Sequence, residues 1–282
     1  MTPPSGLPRR ALLAGLAGAA CLAAPAARAA PPVVLRGRTT QGGLVFARAA
    51  AGARVALDGR ALRVAPDGRF AFGFGRDHAR PAELVVTLRD GTREAMRIDV
   101  EKRSFDIQRI DGLPPRMVEP SEQDLARIKA ESDAIAKARA RDSAEPSWDM
   151  EWRWPVVGRI SGVFGSQRIL NGQPRRPHYG VDVAMPTGTP VVAPADGVVS
   201  LAHGDMYFTG GTVILDHGHG VGSLYAHLSA VDVAEGTRLR RGERIGAVGA
   251  TGRATGPHLH WGMTWYALNV DPALVVPPMP AP

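Results

Sequence analysis

Two histidines separated by one residue, His258 and His260, stand near the C-terminus of the chain. Polar and apolar residues alternate over residues 256–261, after a Gly-Pro pair, which predicts a strand with both imidazoles on one face about 7 Å apart. Such a pair could bind a metal ion or act as acid and base. Taken alone, it is as often two satisfied core or surface histidines.

Other histidines are concentrated around this pair. The chain has eight, and seven of them lie between residues 178 and 260. His178 and Asp182 are four residues apart, so on one strand they would share a face and could bind an ion with a third ligand from elsewhere. Two nitrogens and one oxygen suit zinc, and three protein ligands leave a position for water, as a catalytic site requires.

Three motifs in order resemble the lysostaphin-type zinc metallopeptidases, which cut peptide bridges in peptidoglycan. They are His-x-x-x-Asp at 178–182, Tyr-Ala-His-Leu at 225–228 and Gly-Pro-His-Leu-His at 256–260, within a resemblance that covers about residues 155–272. The resemblance implies a secreted endopeptidase that acts on peptidoglycan peptide stems, and the preceding β domain and helix are similar to those of exported Gram-negative members. It leaves open whether the bond is a D-Ala to diaminopimelate cross-link or a glycine bridge.

The same resemblance implies a role for each motif residue. His178, Asp182 and His260 would bind one zinc ion, and His227 and His258 would be the catalytic histidines. The nucleophile would be zinc-bound water, and the two histidines would act as acid and base and stabilise the transition state. No His-Glu-x-x-His motif occurs in the sequence, so a histidine has to replace the general-base glutamate of helical zinc proteases.

Residues around the motifs are weaker candidates. Arg168 and Asn171 precede the first motif and either contact substrate or serve only as loop residues, and Tyr207 is a third candidate substrate contact. His217 and His219 flank Gly218, and this Asp-His-Gly segment supplies turn chemistry, which favours a structural role for both.

Composition predicts a mainly β fold. With 44% hydrophobic residues, 33 glycines and 24 prolines, the chain favours turn-rich sheets over helical bundles. Residues 30–105 show short apolar alternations between Asp-Gly turn signals, which predict a small immunoglobulin-like β-sandwich that acts as a spacer or docking module for cell-envelope proteins. Residues 147–282 predict an antiparallel β metallopeptidase domain.

Residues 106–146 are predicted to form a linker that carries one connecting helix at 121–142. Ser121 is a suitable N-cap, and the apolar face would consist of Leu125, Ile128, Ile135 and Ala136. This helix either packs against a neighbouring domain or covers the active groove.

The first 29 residues predict export to the periplasm. Arg9 and Arg10 precede an apolar run at 11–24, and Ala27-Arg28-Ala29 offers a small-x-small cleavage site, in the manner of a twin-arginine signal. The run is shorter than the roughly 20 apolar residues of a membrane span, so no stable span is expected.

The cysteine content and the net charge exclude some classes of function and favour others. Cys21 is the single cysteine and falls in the predicted signal, which excludes catalysis by a cysteine in the mature chain. A lipid anchor on Cys21 is disfavoured because Gly18 stands where Leu or Val is expected. The net charge of +7 drops to about +4 without the three signal arginines, which suits an anionic wall polymer. No basic run with interleaved aromatics points to nucleic acid.

Two alternatives to an enzyme are compatible with these motifs. One is a non-catalytic homologue that binds cell wall and activates another wall hydrolase. The other is a structural wall-binding protein whose metal serves folding. Because all three ligand positions and both catalytic histidines are present, the enzyme is favoured.

Overall fold

The computed structural model describes residues 33–112 and 120–280, so the predicted signal of residues 1–29, including Cys21, lies outside the described residues. Short strands dominate the described chain, joined by one α-helix and one 3-10 helix (Pro272–Leu274). The mainly β fold predicted from composition is therefore confirmed. Within the same residues, no helix combines the length and apolar character needed to cross a membrane.

The N-terminal strands form two antiparallel sheets. Strands β1 (Val33–Gly37), β2 (Leu44–Ala49) and β5 (Arg69–Gly73) form one sheet, and the other contains β3 (Arg54–Leu57), β4 (Arg60–Ala61), β6 (Ala82–Thr87) and β7 (Arg93–Ile98). Alternate residues of β6 are buried, as expected for strands with one face on a core. An immunoglobulin-like topology for this region stays a prediction, as do the domain boundaries.

The predicted linker contains a strand as well as a helix. Strand β8 (Ile107–Ile110) pairs in parallel with β10 (Gln167–Leu170), which also pairs with β11 (Gln173–Pro174). Sequence alone did not suggest this strand, because a four-residue segment with one apolar residue at each end carries little periodicity. The pairing places part of the linker against the region that precedes His178.

Helix α1 (Glu122–Arg139) begins where predicted and ends three residues before position 142. Ser121 caps it by accepting a hydrogen bond from the backbone N–H of Asp124, and acidic residues in the first turn and basic residues in the last complement the helix dipole.

The predicted apolar face of this helix is wrong in two positions. Leu125 is 52% exposed and Ala136 is also exposed, whereas Ala138 is buried. Ala138, with the partly buried Ala134 and Ile135, packs on one small cluster from the sheet described next: Leu201, Met206, Ile214, Leu224 and Ala226. The helix therefore turns a face of small residues to the sheet, which lets its backbone approach closely.

The C-terminal half is built around an eight-stranded sheet. Its strands, in spatial order, are β18 (Arg238–Leu239), β14 (Gly197–Met206), β15 (Gly210–Gly218), β16 (Val221–Leu228), β20 (His258–Trp265), β12 (Val181–Ala184) and β9 (Arg159–Gly162), with β21 (Leu268–Val270) beside β20. A three-stranded sheet of β13 (Pro190–Val192), β19 (Arg244–Ala247) and β17 (Ala230–Val231) accompanies it. The pairs in both sheets are antiparallel, as predicted.

Strand register decides which side chains of the large sheet face the core. Asp182 lies opposite His260, whereas Tyr225 lies opposite Trp261. Because side chains alternate along a strand, these two pairs point to opposite faces of the sheet. The face with Tyr225 and Trp261 is fully buried and continuous with the core of the N-terminal strands, for example through Phe46 stacked on Trp152. The other face carries the acid and histidines of the motifs.

Candidate metal centre and active site

Three predicted ligands converge on one point. His178 Nε2 lies 3.0 Å from Asp182 Oδ1, and His260 Nδ1 lies 2.8 Å from the same oxygen. The two ring nitrogens are 3.0 Å apart. The three atoms thus form a nearly equilateral triangle on the open face of the sheet, with His178 and Asp182 almost fully buried.

The position of His178 does not follow from strand alternation. Strand β12 begins at Val181, so His178 precedes it, and the expectation of a shared strand face with Asp182 is wrong for this residue. Two hydrogen bonds fix its position instead. The backbone N–H of His178 donates to Ser166 O, and the side-chain Nδ1–H donates to Val163 O at 3.1 Å. That second hydrogen bond leaves Nε2 as the lone-pair nitrogen facing Asp182.

Asp182 is ionised at neutral pH in this setting. Burial opposes its charge, but the close polar contacts of its carboxylate with His178 and His260 outweigh burial and hold the pKa of Asp182 below its usual range. Arg168 Nη2 donates to the second oxygen, Oδ2, at 3.0 Å. Burial lowers the pKa of His260 to about 4, so its imidazole is neutral near pH 7.

The donor set fits zinc. Two imidazole nitrogens and one carboxylate oxygen are typical zinc ligands, and bonds of about 2.0–2.2 Å in a tetrahedron separate ligand atoms by roughly 3.3–3.5 Å. The spacings of 2.8–3.0 Å are a few tenths of an ångström shorter, so a small expansion would admit the ion. Gly180 leaves the room that the His260 ring occupies, because a Cβ there would lie 2.6 Å from Cε1 of that ring.

His227 reaches the same face through an irregularity in β16. Between the pairs Gly211 with Leu228 and Val213 with Tyr225, β16 contains one residue more than β15, which is a β-bulge. His227 adopts φ +63° at this bulge, a left-handed conformation that is uncommon for residues other than glycine. In a regular strand it would follow Tyr225 to the buried face, so the bulge is what turns it toward the triangle.

The rings of His227 and His258 form a second pair beside the triangle. Their centroids are 4.7 Å apart, and His227 lies 6.2 Å from His260. Nδ1–H of His227 donates to Thr251 O, and Nδ1–H of His258 donates to Gly256 O, each at 2.8 Å. In this tautomer both Nε2 atoms are proton acceptors. Burial is the main cause that lowers the pKa of His227 to about 3.

The two histidines open onto a cavity of about 140 Å³. Its lining combines linker, loop and sheet residues: Gln108, Ile110, Ser161, Arg168, Leu170, Asp182, His227, Arg253, Ala254, Thr255 and His258. A larger cavity of about 610 Å³ lies beside Phe46, Trp152 and Trp154, and no histidine is among its described lining residues. The candidate site is therefore identified by the histidines and the carboxylate that line it, and not by the volume of its cavity.

The three predicted substrate contacts occupy different places. Arg168 lines the cavity and bridges Asp182 and Gln108 Oε1, which it reaches at 3.3 Å. Asn171 lies in the turn between β10 and β11, with φ +47°, and is not among the lining residues. Tyr207 also lies outside the lining, and its backbone N–H donates to Glu131 of helix α1.

Two lining features were missed by sequence reasoning. Gln108 and Ile110 reach the cavity through the parallel pairing of β8, which no local pattern signals. Arg253 belongs to the loop directly before His258, and its place beside that motif was a usable signal.

The remaining histidine motif forms a hydrogen-bonded chain on the opposite face. His217 Nδ1–H donates to Asp196 O, Ser223 donates to His217 Nε2 at 2.7 Å, and Tyr225 donates to Ser223 Oγ at 2.7 Å. All three side chains are buried. His219 follows in the turn at φ +53°. We refer to His217, Ser223 and Tyr225 as the buried chain.

Known proteins resemble this chain in sequence and in fold. Peptidase family M23 matches residues 176–272. A crystal structure from Pseudomonas aeruginosa assigned to peptidase M23 is 32% identical, covers 85% of this chain and 95% of its own, and superposes with a TM-score of 0.64. The chain belongs to peptidase family M23. The resemblance to lysostaphin-type metallopeptidases is thereby confirmed, and the M23 match contains all five motif residues.

Two curated relatives of this M23 chain each match slightly less than half of it. The DD-carboxypeptidase/endopeptidase Mpg of Neisseria meningitidis is 46% identical over 125 residues, which are 44% of this chain and 29% of the relative. The peptidoglycan DD-endopeptidase ShyA of Vibrio cholerae is 38% identical over 140 residues, or 49% of this chain and 30% of the relative. The chain thus spans less than a third of the length of these relatives.

Proposed function

We propose that this chain is an exported, zinc-dependent endopeptidase that hydrolyses peptide cross-links in peptidoglycan. The observation that carries the proposal is the convergence of His178, Asp182 and His260 beside two histidines whose Nε2 atoms are proton acceptors. Membership of family M23 and the names of the two curated relatives support the same reaction class.

In this proposal, His178, Asp182 and His260 hold one zinc ion. When bound, zinc acts as a Lewis acid that polarises the scissile carbonyl and lowers the pKa of water toward about 7. Arg168 restrains Asp182 through Oδ2, and the Val163 carbonyl orients His178. Both contacts fix the ligands before the substrate arrives, which reduces the cost of reorganisation.

His227 and His258 would carry the protons. With its low pKa, His227 is neutral at pH 7 and can accept a proton on Nε2 from the attacking water. The carbonyl oxygens of Thr251 and Gly256 accept from the two Nδ1–H groups and thereby stabilise the imidazolium formed when Nε2 gains a proton. The imidazolium formed in this way can then donate that same proton to the leaving amine as the C–N bond breaks.

The substrate class follows from the relatives. Both relatives carry DD-peptidase names, and we propose that this chain likewise cuts an amide between two D-centres, such as the D-Ala to diaminopimelate cross-link, in the periplasm. The N-terminal strands would then be available for docking to cell-envelope proteins. Neither proposal requires a membrane-spanning helix.

Digestion of purified sacculi tests the proposal. We expect the zinc-loaded mature protein to convert cross-linked muropeptides into monomers, detected by mass analysis, and the His227→Ala variant to leave them intact. Unchanged cross-linking with zinc-loaded wild-type protein would refute the enzyme and favour the alternative, a homologue that binds wall and activates another hydrolase. Addition of the protein to a separate wall hydrolase would then show that activation directly.

A further inference from the structure

The larger cavity, of about 610 Å³, lies against the N-terminal strands. Its volume is within the range of about 300–1,000 Å³ that is usual for ligand pockets. Its walls come from strands β1 and β2, from the segment that follows helix α1 and from the residues around the 3-10 helix. We refer to this cavity as the apolar groove, after the side chains of Phe46, Trp152, Trp154, Val157 and Val275 that line it.

The two tryptophans contribute apolar surface to this groove. Nε1–H of Trp152 donates to Trp148 O at 3.2 Å, and Nε1–H of Trp154 donates to Pro277 O at 2.8 Å. Both indole donors therefore have acceptors within the protein, and the rings need no polar partner from a ligand. Val157, which is 39% exposed, adds a further apolar contact. The groove thus suits an aliphatic or aromatic side chain, because burying such a side chain here removes apolar surface from water.

Arginines form most of the charged part of the lining. Arg36, Arg153 and Arg241 line the groove, and Glu151 is the acidic residue among the described lining residues, so three positive charges stand against one negative charge. Arg36 lies 3.2 Å from Asp149. For Arg153 and Arg241, residues 33–112 and 120–280 supply no ion-pair partner. A groove with this excess of positive charge attracts an anionic partner.

Asp149 does not offset this excess, because three arginines share it. Arg36, Arg48 and Arg69 lie 3.2–3.5 Å from its carboxylate oxygens. Arg69 also contacts Asp67 at 2.7 Å. The three arginines come from β1, β2 and β5, so the positive charge continues from the groove across the exposed face of that sheet.

Strand β1 is an edge strand that borders the groove. Among the described strands it pairs with β2 alone, and its residues Arg36 and Gly37 line the groove. Arg36 lies opposite Phe46, so both side chains are on one face of the sheet. Val34, two residues earlier on the same face, is 68% exposed. An unpaired edge of this kind can accept an extended peptide through backbone hydrogen bonds.

We propose that the apolar groove docks an extended acidic segment of a partner protein, which adds to β1 as a further strand. Every second side chain of such a segment faces the groove, about 7 Å from the next. An apolar side chain packs against Trp152 and Trp154, and a carboxylate two residues away pairs with Arg153 or Arg241. This inference rests on the docking role that the proposed function gives to the N-terminal strands, and it does not depend on the hydrolytic reaction.

Calorimetric titration of the mature full chain with synthetic peptides tests the docking. The probe has about eight residues, with threonine at every second position and leucine and glutamate in turn between the threonines. We expect it to bind, and we expect replacement of its glutamates by glutamine to weaken binding on the order of 10-fold, as for two exposed ion pairs. Serine in place of leucine, or methylated backbone nitrogens, should also weaken it, because apolar contacts or hydrogen-bond donors to β1 are lost.

A double variant assigns the charge contacts. Arg153→Gln with Arg241→Gln should bind the glutamate peptide as weakly as wild type binds the glutamine peptide. The matched control is Arg54→Gln with Arg93→Gln, which removes the same charge from two exposed arginines outside the lining and should bind as wild type does. Absence of binding, equal affinity of wild type for the glutamate and glutamine peptides, or an equal loss in both double variants would overturn the proposal.

Other occupants would give different results. A mature chain that sediments as a dimer, and as a monomer once Arg153 and Arg241 are replaced, would place a second copy in the groove and overturn the assignment to a partner. Binding to phosphatidylglycerol vesicles that the glutamate peptide does not displace would indicate a lipid instead. Sacculus digestion judges the proposed function separately: cleavage without peptide binding refutes the docking alone, and peptide binding without cleavage refutes the peptidase alone.

Discussion

The buried chain and the candidate metal centre both use histidines, on opposite faces of one sheet, but their polar atoms are paired differently. In the buried chain, each donor has an acceptor, from Tyr225 through Ser223 and His217 to a backbone carbonyl. At the candidate metal centre, two ring nitrogens and a carboxylate oxygen lie within 3.0 Å of one another. Satisfied polar groups rigidify a core, whereas converging acceptors need a cation.

A second difference concerns backbone strain. The residues of the buried chain on β16, Ser223 and Tyr225, follow regular alternation, but His227, two residues further, has φ +63°. A non-glycine residue in this region costs on the order of 1 kcal/mol, which is offset by the hydrogen bonds that His227 donates to the carbonyl oxygens of Thr209 and Thr251. The strained residue therefore lies on the face of the sheet that carries the candidate site.

The largest expected effect separates ligand from proton carrier within the open face. His260→Ala should abolish both bound zinc and hydrolysis, because two remaining ligands do not hold the ion. His227→Ala should keep stoichiometric zinc and lose about 10²- to 10⁴-fold in kcat, the usual contribution of a general base. Metal analysis alongside muropeptide turnover checks both variants. His258→Ala should behave like His227→Ala, and zinc loss equal to that of His260→Ala would refute the division of roles.

The next largest expected effect is a loss of stability at low pH that arises in the buried chain. Burial lowers the pKa of His217 to about 4 from an ordinary value of 6.5, so the folded state favours neutral imidazole. Its contribution to stability is fully present above pH 6.5 and is lost as the pH falls toward 4, by up to roughly 3 kcal/mol. Denaturant titrations of metal-free protein at pH 7 and pH 4.5 should show the loss.

A variant that lacks the His217 imidazole tests whether this residue causes that loss of stability. His217→Gln cannot titrate, so its free energy of unfolding should fall less between the two pH values than that of wild type, whatever its stability at pH 7. Parallel pH dependences in the two proteins would contradict a role for His217. The His227→Ala protein serves as a comparison, because it removes a titrating histidine of the open face instead.

The smallest effect tests the space around the metal ligands. Gly180→Ala would bring a Cβ within 2.6 Å of the His260 ring, so we expect the ring to shift and zinc affinity to drop about 10-fold or more. Gly204→Ala adds the same atom where nothing lies within 4 Å and should bind zinc as wild type does. Competition with a chromogenic chelator measures both. Unchanged affinity in Gly180→Ala would show that the centre tolerates displacement of His260.

The sequence by itself determined the family and the identity of the residues that the fold gathers. Motif order and residue type carried that information, and the alternation of β20 correctly placed His258 and His260 on one face. These are local properties, because side-chain direction in a regular strand repeats every two residues. The helix start at Ser121 was equally local, since its cap lies within one turn.

Only the tertiary structure decided how the site is completed. A bulge turns His227 to the open face, backbone hydrogen bonds hold His178 outside β12, and parallel pairing brings Gln108 to the cavity wall. Each depends on contacts between segments far apart in the chain, so no window of sequence contains the cause. The same holds for Arg253, whose proximity to the motif is visible in the sequence but whose place in the cavity lining and contact with Phe208 are not.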